Sequence, residues 1–298
     1  MNRYEKLLAR MRAGERILID GATGTECEVR GVPQLENAWN GGAAISHPDI
    51  VRQIHEDYLA LGAEIIISNT FGTSKNQLTD AGVVDQFEEY NRRAVEIALE
   101  ARAAAGNDNV LVAGGQSCWT WTDNCPAPDE LRVNAADQAA VMRDAGADVL
   151  MLEMMISIDN MLAMLEGAQS SGLPVWVGMS CDPNEDGTMG LFDGDTLADA
   201  IEALKPYDVP LISIMHTRSD YVAACLDVVD AHWDGLVGLY PDSGIHEDTH
   251  LVQHSVMTPH DFAAFTESIW ARNFNLIGSC CGLGVNHLKA LQGVFKQG

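Results

Sequence analysis

"HPDIVRQIHEDYLALGAEIIISNTF", residues 47–71, contains one full structural period of this chain. A helix-like stretch ends at Gly62, the residue type most often found just past a helix C-terminus. The apolar run AEIIISNTF (63–71) follows and closes on polar residues. Three consecutive isoleucines leave no polar face, as expected of a strand buried on both sides in a parallel sheet.

The period recurs. Further strand-like runs are ILIDGAT (17–23), NVLVAGGQS (109–117), ADVLMLEMM (147–155), PVWVGMSC (174–181), PLISIMHT (210–217), DGLVGLYPDSG (234–244) and FNLIGSCCG (274–282). Helix-like stretches such as VVDQFEEYNRRAVEIALEARAAAG and DTLADAIEALKPY lie between them, and KALQGVF follows the last. Eight strands joined by mostly long connections predict an α/β fold of the (β/α)₈ TIM-barrel kind rather than a doubly wound sheet. No linker or compositional break interrupts residues 1–298, so one barrel domain is expected to span the chain.

Composition excludes several classes. The 298 residues carry 43 acidic against 18 basic side chains, a net charge of -25. Nucleic acid and anionic membranes are therefore poor partners, because phosphate recognition needs clustered Lys and Arg. No apolar run is long enough for a spanning helix, and the charged N-terminus has no signal-peptide core. The seven cysteines do not have the spacing of a secreted framework, which predicts reduced thiols and a cytoplasmic protein.

In a barrel of this kind function collects at the C-terminal ends of the strands. Those ends read Asp20-Gly21-Ala22-Thr23-Gly24-Thr25, Asn69-Thr70-Phe71, Gly114-Gly115-Gln116-Ser117, Glu153, Ser180-Cys181, His216-Thr217, Tyr240-Pro241-Asp242-Ser243-Gly244 and Ser279-Cys280-Cys281-Gly282. Polar and thiol residues scattered through the sequence thus meet at one rim. Cys280 and Cys281 are adjacent, and a vicinal pair strains to form a disulfide. Fenced by glycines on the functional rim, they point to metal binding rather than to buried core thiols.

These strand ends, taken in order, resemble the homocysteine S-methyltransferase family, which includes betaine–homocysteine methyltransferase. The matching stretches are DGATGT, HPDIVRQIHEDYLALGAEIIISNTF, LEMM, DGTMGLFDGDTLADAIEAL, GLYPDSG and IGSCCG, covering nearly the whole chain. The resemblance implies a TIM barrel and one zinc ion held by three cysteine thiolates, two of them matching Cys280 and Cys281. The third follows an Asn at the end of strand six. This chain has Met215-His216 there, so His216 is the expected third ligand in a Cys₂His set with an open position.

Asp20 and Glu153 match carboxylates that the family places around the amino group of homocysteine, where charge-assisted hydrogen bonds favour an ammonium. Glu153 sits in an apolar context, so it should have a partner. Asn69, Thr70 and Ser117 are expected to orient the substrate together with Gly21 and Thr25, with the backbone near Gly21 and Gly24 approaching its carboxylate. Trp39, Trp119, Trp121 and Tyr240 are candidates for a methyl-donor pocket, because aromatic faces attract sulfonium and quaternary ammonium groups; packing on the rim is the alternative. His246, His250 and His254 form an H-x₃-H-x₃-H run that would share one helix face. It reads first as solvated histidines, with a second metal site or an oligomer contact as alternatives.

The expected activity is zinc-dependent methyl transfer from a sulfonium or quaternary ammonium donor to a thiol, homocysteine giving methionine. The partners are two small molecules, and homo-oligomerisation is left open. Another thiol acceptor, a corrinoid-protein methyl donor, and a non-catalytic relative that has lost zinc are the alternatives.

Overall fold

Ile17 and Ile19 face one side of their strand and Leu18 the other; Leu111 and Ala113 alternate in the same way with Val112, and Val149 and Met151 with Leu150 and Leu152. This period of two divides every apolar run between two cores. One set fills the inside of a barrel, and the other packs beneath an outer layer of helices. In the computed structural model, which describes residues 1–122, 124–243 and 257–295, the barrel strands are β1 (Ile17–Leu18), β2 (Ile65–Ile67), β3 (Leu111–Gln116), β4 (Val149–Met155), β5 (Val175–Met179), β6 (Leu211–Arg218), β7 (Leu236–Asp242) and β8 (Leu276–Ile277). They form one parallel sheet of eight strands in the order β1-β8-β7-β6-β5-β4-β3-β2. A parallel bridge between Ile19 and Ile65 joins its two ends, so the fold is the expected (β/α)₈ TIM barrel.

The helices between the strands begin and end on local signals. Pro48, Pro128 and Pro259 occupy first-turn positions, where a missing N–H costs nothing. Gly106 and Gly146 close two long helices in the left-handed conformation. Three features lie outside the simple period. The amphipathic N-terminal helix Arg3–Arg12 buries Leu7, Leu8 and Met11 against the barrel interior, and Tyr4 accepts a hydrogen bond from Trp176 Nε1 (3.1 Å). The stretch after β1 turns at once into a short helix, Thr23–Val29. A small antiparallel hairpin, Cys181–Pro183 with Met189–Leu191, follows β5 on the functional side.

The two strands next to the seam are short for a visible reason. The Ile67 N–H is taken by the Asp20 carboxylate at 2.8 Å, so a side chain replaces the strand partner there. No helix among the described residues is long and apolar enough to cross a membrane, and all seven cysteines are free.

Candidate metal centre

The loop after β8 is held from both neighbouring strands. Cys280 N–H donates to Pro241 O (2.8 Å) and Ser243 N–H to Cys281 O (3.1 Å), extending the β7 contact past the end of the ladder. From the β1 side, Thr25 Oγ1 accepts from Gly282 N–H at 3.1 Å, and Glu26 Oε1 accepts from Val285 N–H at 2.8 Å. Gly282 takes φ +77, a turn that side chains resist, and it lets both cysteines face inward.

These restraints bring Cys280 Sγ to 3.7 Å from Cys281 Sγ and 3.6 Å from His216 Nδ1. The ligating atoms of His216, Cys280 and Cys281 all lie within 4.8 Å of one another, and all three residues are buried or nearly so. Zinc bond lengths of about 2.3 Å to sulfur and 2.0 Å to nitrogen imply tetrahedral edges of about 3.8 Å and 3.6 Å. The donor set therefore fits that ion in size and in chemistry. The neighbouring Cys281 thiol, and then burial, hold Cys280 well above the usual thiol range, with His216 acting against this.

Two carboxyl groups lie deeper in the rim. Burial pushes the Glu153 carboxyl up to about 8. Asp20 is also raised well above the carboxylate range, by burial first, with its hydrogen bond from Ile67 acting against this and the charge of Glu153 adding to it. Among the described residues no lysine or arginine pairs with either group. Glu153 leans over Gly115, where a methyl group would come within 2.3 Å of its carboxyl oxygen. Tyr240 shares this layer, buried in the interior cluster with its hydroxyl over Gly178, and feels the charges of Glu153, Cys280 and Asp20.

Aromatic rings lie along the same rim. Trp39 meets Phe71 edge-on at 6.1 Å, and Phe71 meets Trp121 at 6.2 Å. Trp119, Phe192 and Cys280 all pack against the interior cluster, and the Phe192 ring stands 6.1 Å, edge-on, from the His216 ring.

The sequence profile described as "Homocysteine S-methyltransferase" matches residues 17–295. The chain belongs to the homocysteine S-methyltransferase family. It is 24% identical to homocysteine S-methyltransferase 3 of Zea mays over 96% of this chain and 92% of that protein. It is 26% identical to betaine–homocysteine S-methyltransferase 1 of Rattus norvegicus over 96% of this chain and 73% of that one. In fold it resembles the metallated form of the Escherichia coli homocysteine methyltransferase MmuM, with TM-score 0.77, 23% identity, and 94% and 96% of the two chains covered. Membership makes this chain a thiol S-methyltransferase with small-molecule substrates.

Within this family member the expected site residues divide into two kinds. His216, Cys280 and Cys281 converge, and Asp20, Glu153 and Tyr240 lie close beneath them. Others have bonds to the protein itself: Thr70 Oγ1 donates to Gly115 O (2.7 Å), Asn69 Nδ2 to Asn40 O (2.9 Å), and Ser117 Oγ accepts from Trp119 N–H (3.1 Å). The space beside Gly24 is filled by the Trp39 ring, and that beside Gly21 by Ser279 Oγ and Tyr58. His246, His250 and His254 lie outside the described residues.

Two neighbours of the centre were not singled out from the sequence. Phe192 directly follows the hairpin's second strand, beside its base, and Asp242 places Oδ2 at 3.9 Å from His216 Nδ1. Asp242 was visible only as part of a strand-end PDSG; nothing in its spacing from His216 shows that adjacent strands place them side by side.

Proposed function

We propose that this chain is a zinc-dependent S-methyltransferase that moves a methyl group from a sulfonium or quaternary ammonium donor to homocysteine, giving methionine. The observation that carries this reading is the cluster of two sulfur donors and one nitrogen donor on the barrel rim, with Cys280 at 3.7 Å and 3.6 Å from the other two and all three within 4.8 Å. Zinc held by His216, Cys280 and Cys281 would keep the incoming thiol as a thiolate at neutral pH.

The remaining work falls to the protein. Asp20 and Glu153, buried and without a basic partner among the described residues, suit the ammonium of an amino acid and anchor its sulfur toward the cysteines. Trp39, Phe71, Trp119, Trp121 and Phe192 offer ring faces and edges to a cationic donor and exclude water from the path of transfer. The substrate sulfur forms the new S–CH₃ bond as the donor's bond to that methyl breaks. The donor leaves as a neutral sulfide or amine, and the thiol proton goes to solvent. No protein nucleophile is needed, so catalysis is positioning and deprotonation.

The test is a matrix of methyl donors and thiol acceptors incubated with zinc-loaded protein, with methylated product read by mass. Methionine formed with a sulfonium or quaternary ammonium donor supports the proposal. Methylation of another thiol only would move the acceptor assignment, a reading favoured by the histidine in the donor set. No product with any pair, from protein lacking stoichiometric zinc, would reject it.

A further inference from the structure

Met154 is out of step with its strand. Val149 and Met151 face the barrel interior, and Leu150 and Leu152 face the helices. Glu153 continues the alternation inward, so Met154 should turn outward. Instead Met154 joins the interior cluster, and Met155 joins the outer one. The register of β4 against β5 shifts at this point. Between the pairs Leu152–Val177 and Met155–Met179, Glu153 and Met154 stand opposite Gly178 alone. This is a β-bulge, a device that re-aims side chains. Met154 takes φ +54 within it. β6 carries the same device: His216 and Thr217 stand opposite Pro241 alone, and His216 takes φ +42. A left-handed residue with a side chain persists only where its surroundings hold it. In β6 Thr217 does so, with Oγ1 donating to Met215 O (2.9 Å) and accepting from Cys181 N–H (3.0 Å).

The β4 bulge is held from two strands away. Met154 N–H donates to Met215 Sδ at 2.9 Å. β5 lies between β4 and β6, and contact across it is possible because the inward position of β5 in this layer is Gly178. A methyl group there would meet Tyr240 Oη at 2.6 Å and Met215 Sδ at 2.7 Å. The thioether thus occupies the place of a missing side chain, as the Glu153 carboxyl does over Gly115. A thioether is a weak acceptor. Here both methionines are buried in the interior cluster, where water does not compete for the N–H.

We propose that Met215 is a positioning residue for Glu153: its thioether, seated over Gly178, holds the β4 bulge that aims the Glu153 carboxyl at the substrate ammonium. The inference rests on the reading of Glu153 as an ammonium partner. Three properties are needed at once: an unbranched chain long enough to cross β5, an apolar body for the interior, and an acceptor atom near its end. Methionine combines them, and leucine lacks only the acceptor and some reach.

The experiment measures methionine affinity by calorimetry on the full chain under reducing conditions, and follows the Met154 amide by hydrogen exchange. Met215→Leu keeps the apolar bulk and removes the acceptor, a volume-conserving swap that cores tolerate. Its Met154 amide should exchange faster than in the parent. Methionine should bind about tenfold more weakly, the loss expected of one misaimed charge-assisted hydrogen bond. Met151→Leu makes the same swap deeper in the interior and should leave both readings close to the parent. Unchanged Met154 exchange or unchanged affinity in Met215→Leu overturns the proposal, and so does an equal loss of affinity in Met151→Leu. A double-mutant cycle closes the argument. In a Glu153→Gln background Met215→Leu should have little further effect on affinity, and an undiminished loss there shows that Met215 does not act through Glu153. If Glu153→Gln alone binds methionine as tightly as the parent, the ammonium reading of Glu153 fails and the proposal falls with it, an outcome told apart from the others because it involves no change at Met215.

Discussion

Cys280 Sγ and His216 Nδ1 stand 3.6 Å apart although 64 residues separate them in the chain. The contact exists because β6 and β8 flank β7, and their ends turn toward the same point. Exchanging the nitrogen donor for sulfur tests what the histidine contributes. His216→Cys should retain stoichiometric zinc while making the centre negatively charged and the bound thiolate more electron-rich. Turnover of the bound thiol should therefore rise. Metal analysis and single-turnover rates check this, and indistinguishable behaviour would count against ligation by His216.

Glu153 should make ligand binding depend on pH. Its carboxyl is pushed up to about 8 by burial, so it is protonated below that and charged above. An ammonium needs the charged form, so affinity for an amino acid without a thiol, such as methionine, should rise as pH increases toward 8 and above. Glu153→Gln should remove the rise. Its effect on stability has the opposite sign: a carboxyl kept neutral by burial costs stability as pH climbs from its ordinary value toward 8. The amide should therefore stabilise the protein at pH 8, by up to several kcal/mol, since each tenfold difference in proton affinity between the folded and unfolded chain is worth about 1.4 kcal/mol. Calorimetric binding and urea midpoints at several pH values would show both.

His55 sets an acid limit on the fold. It is wholly buried on the helix Pro48–Ala60, and burial lowers it from 6.5 to about 4. Neither ring nitrogen has a hydrogen-bond partner among the described residues. The neutral ring is favoured in the folded state, so its stability is full above about pH 6.5 and declines as pH falls toward 4. The loss should reach about 3 kcal/mol. His55→Leu should flatten this part of a stability-against-pH curve measured by urea denaturation.

Thr217 is expected to matter beyond its own bonds. Thr217→Val leaves the buried Cys181 N–H without its acceptor and should cost about 1–3 kcal/mol of stability. It also frees the bulge that carries His216, so zinc affinity should fall with it. Thermal melting of the metal-free and zinc-loaded forms separates the two effects: the loaded form should lose more.

Much of this molecule could be read from its order of residues. The eight apolar runs announce a barrel, because a strand buried on both faces has no polar side to display, and Cys280-Cys281 marks the candidate metal centre by its glycine fence. The carboxyls at Asp20 and Glu153 were legible for the same reason, as charged residues at the ends of otherwise apolar strands. Asp242 and Phe192 were not, since their placement depends on register: one extra residue in β6 brings His216 near Asp242, and a hairpin brings Phe192 edge-on to the ring. Local sequence carries the period of the strands and the residue types at their ends. How those ends face one another is decided by closure of the barrel, by the bulge in β6 and by burial, which the tertiary structure alone creates.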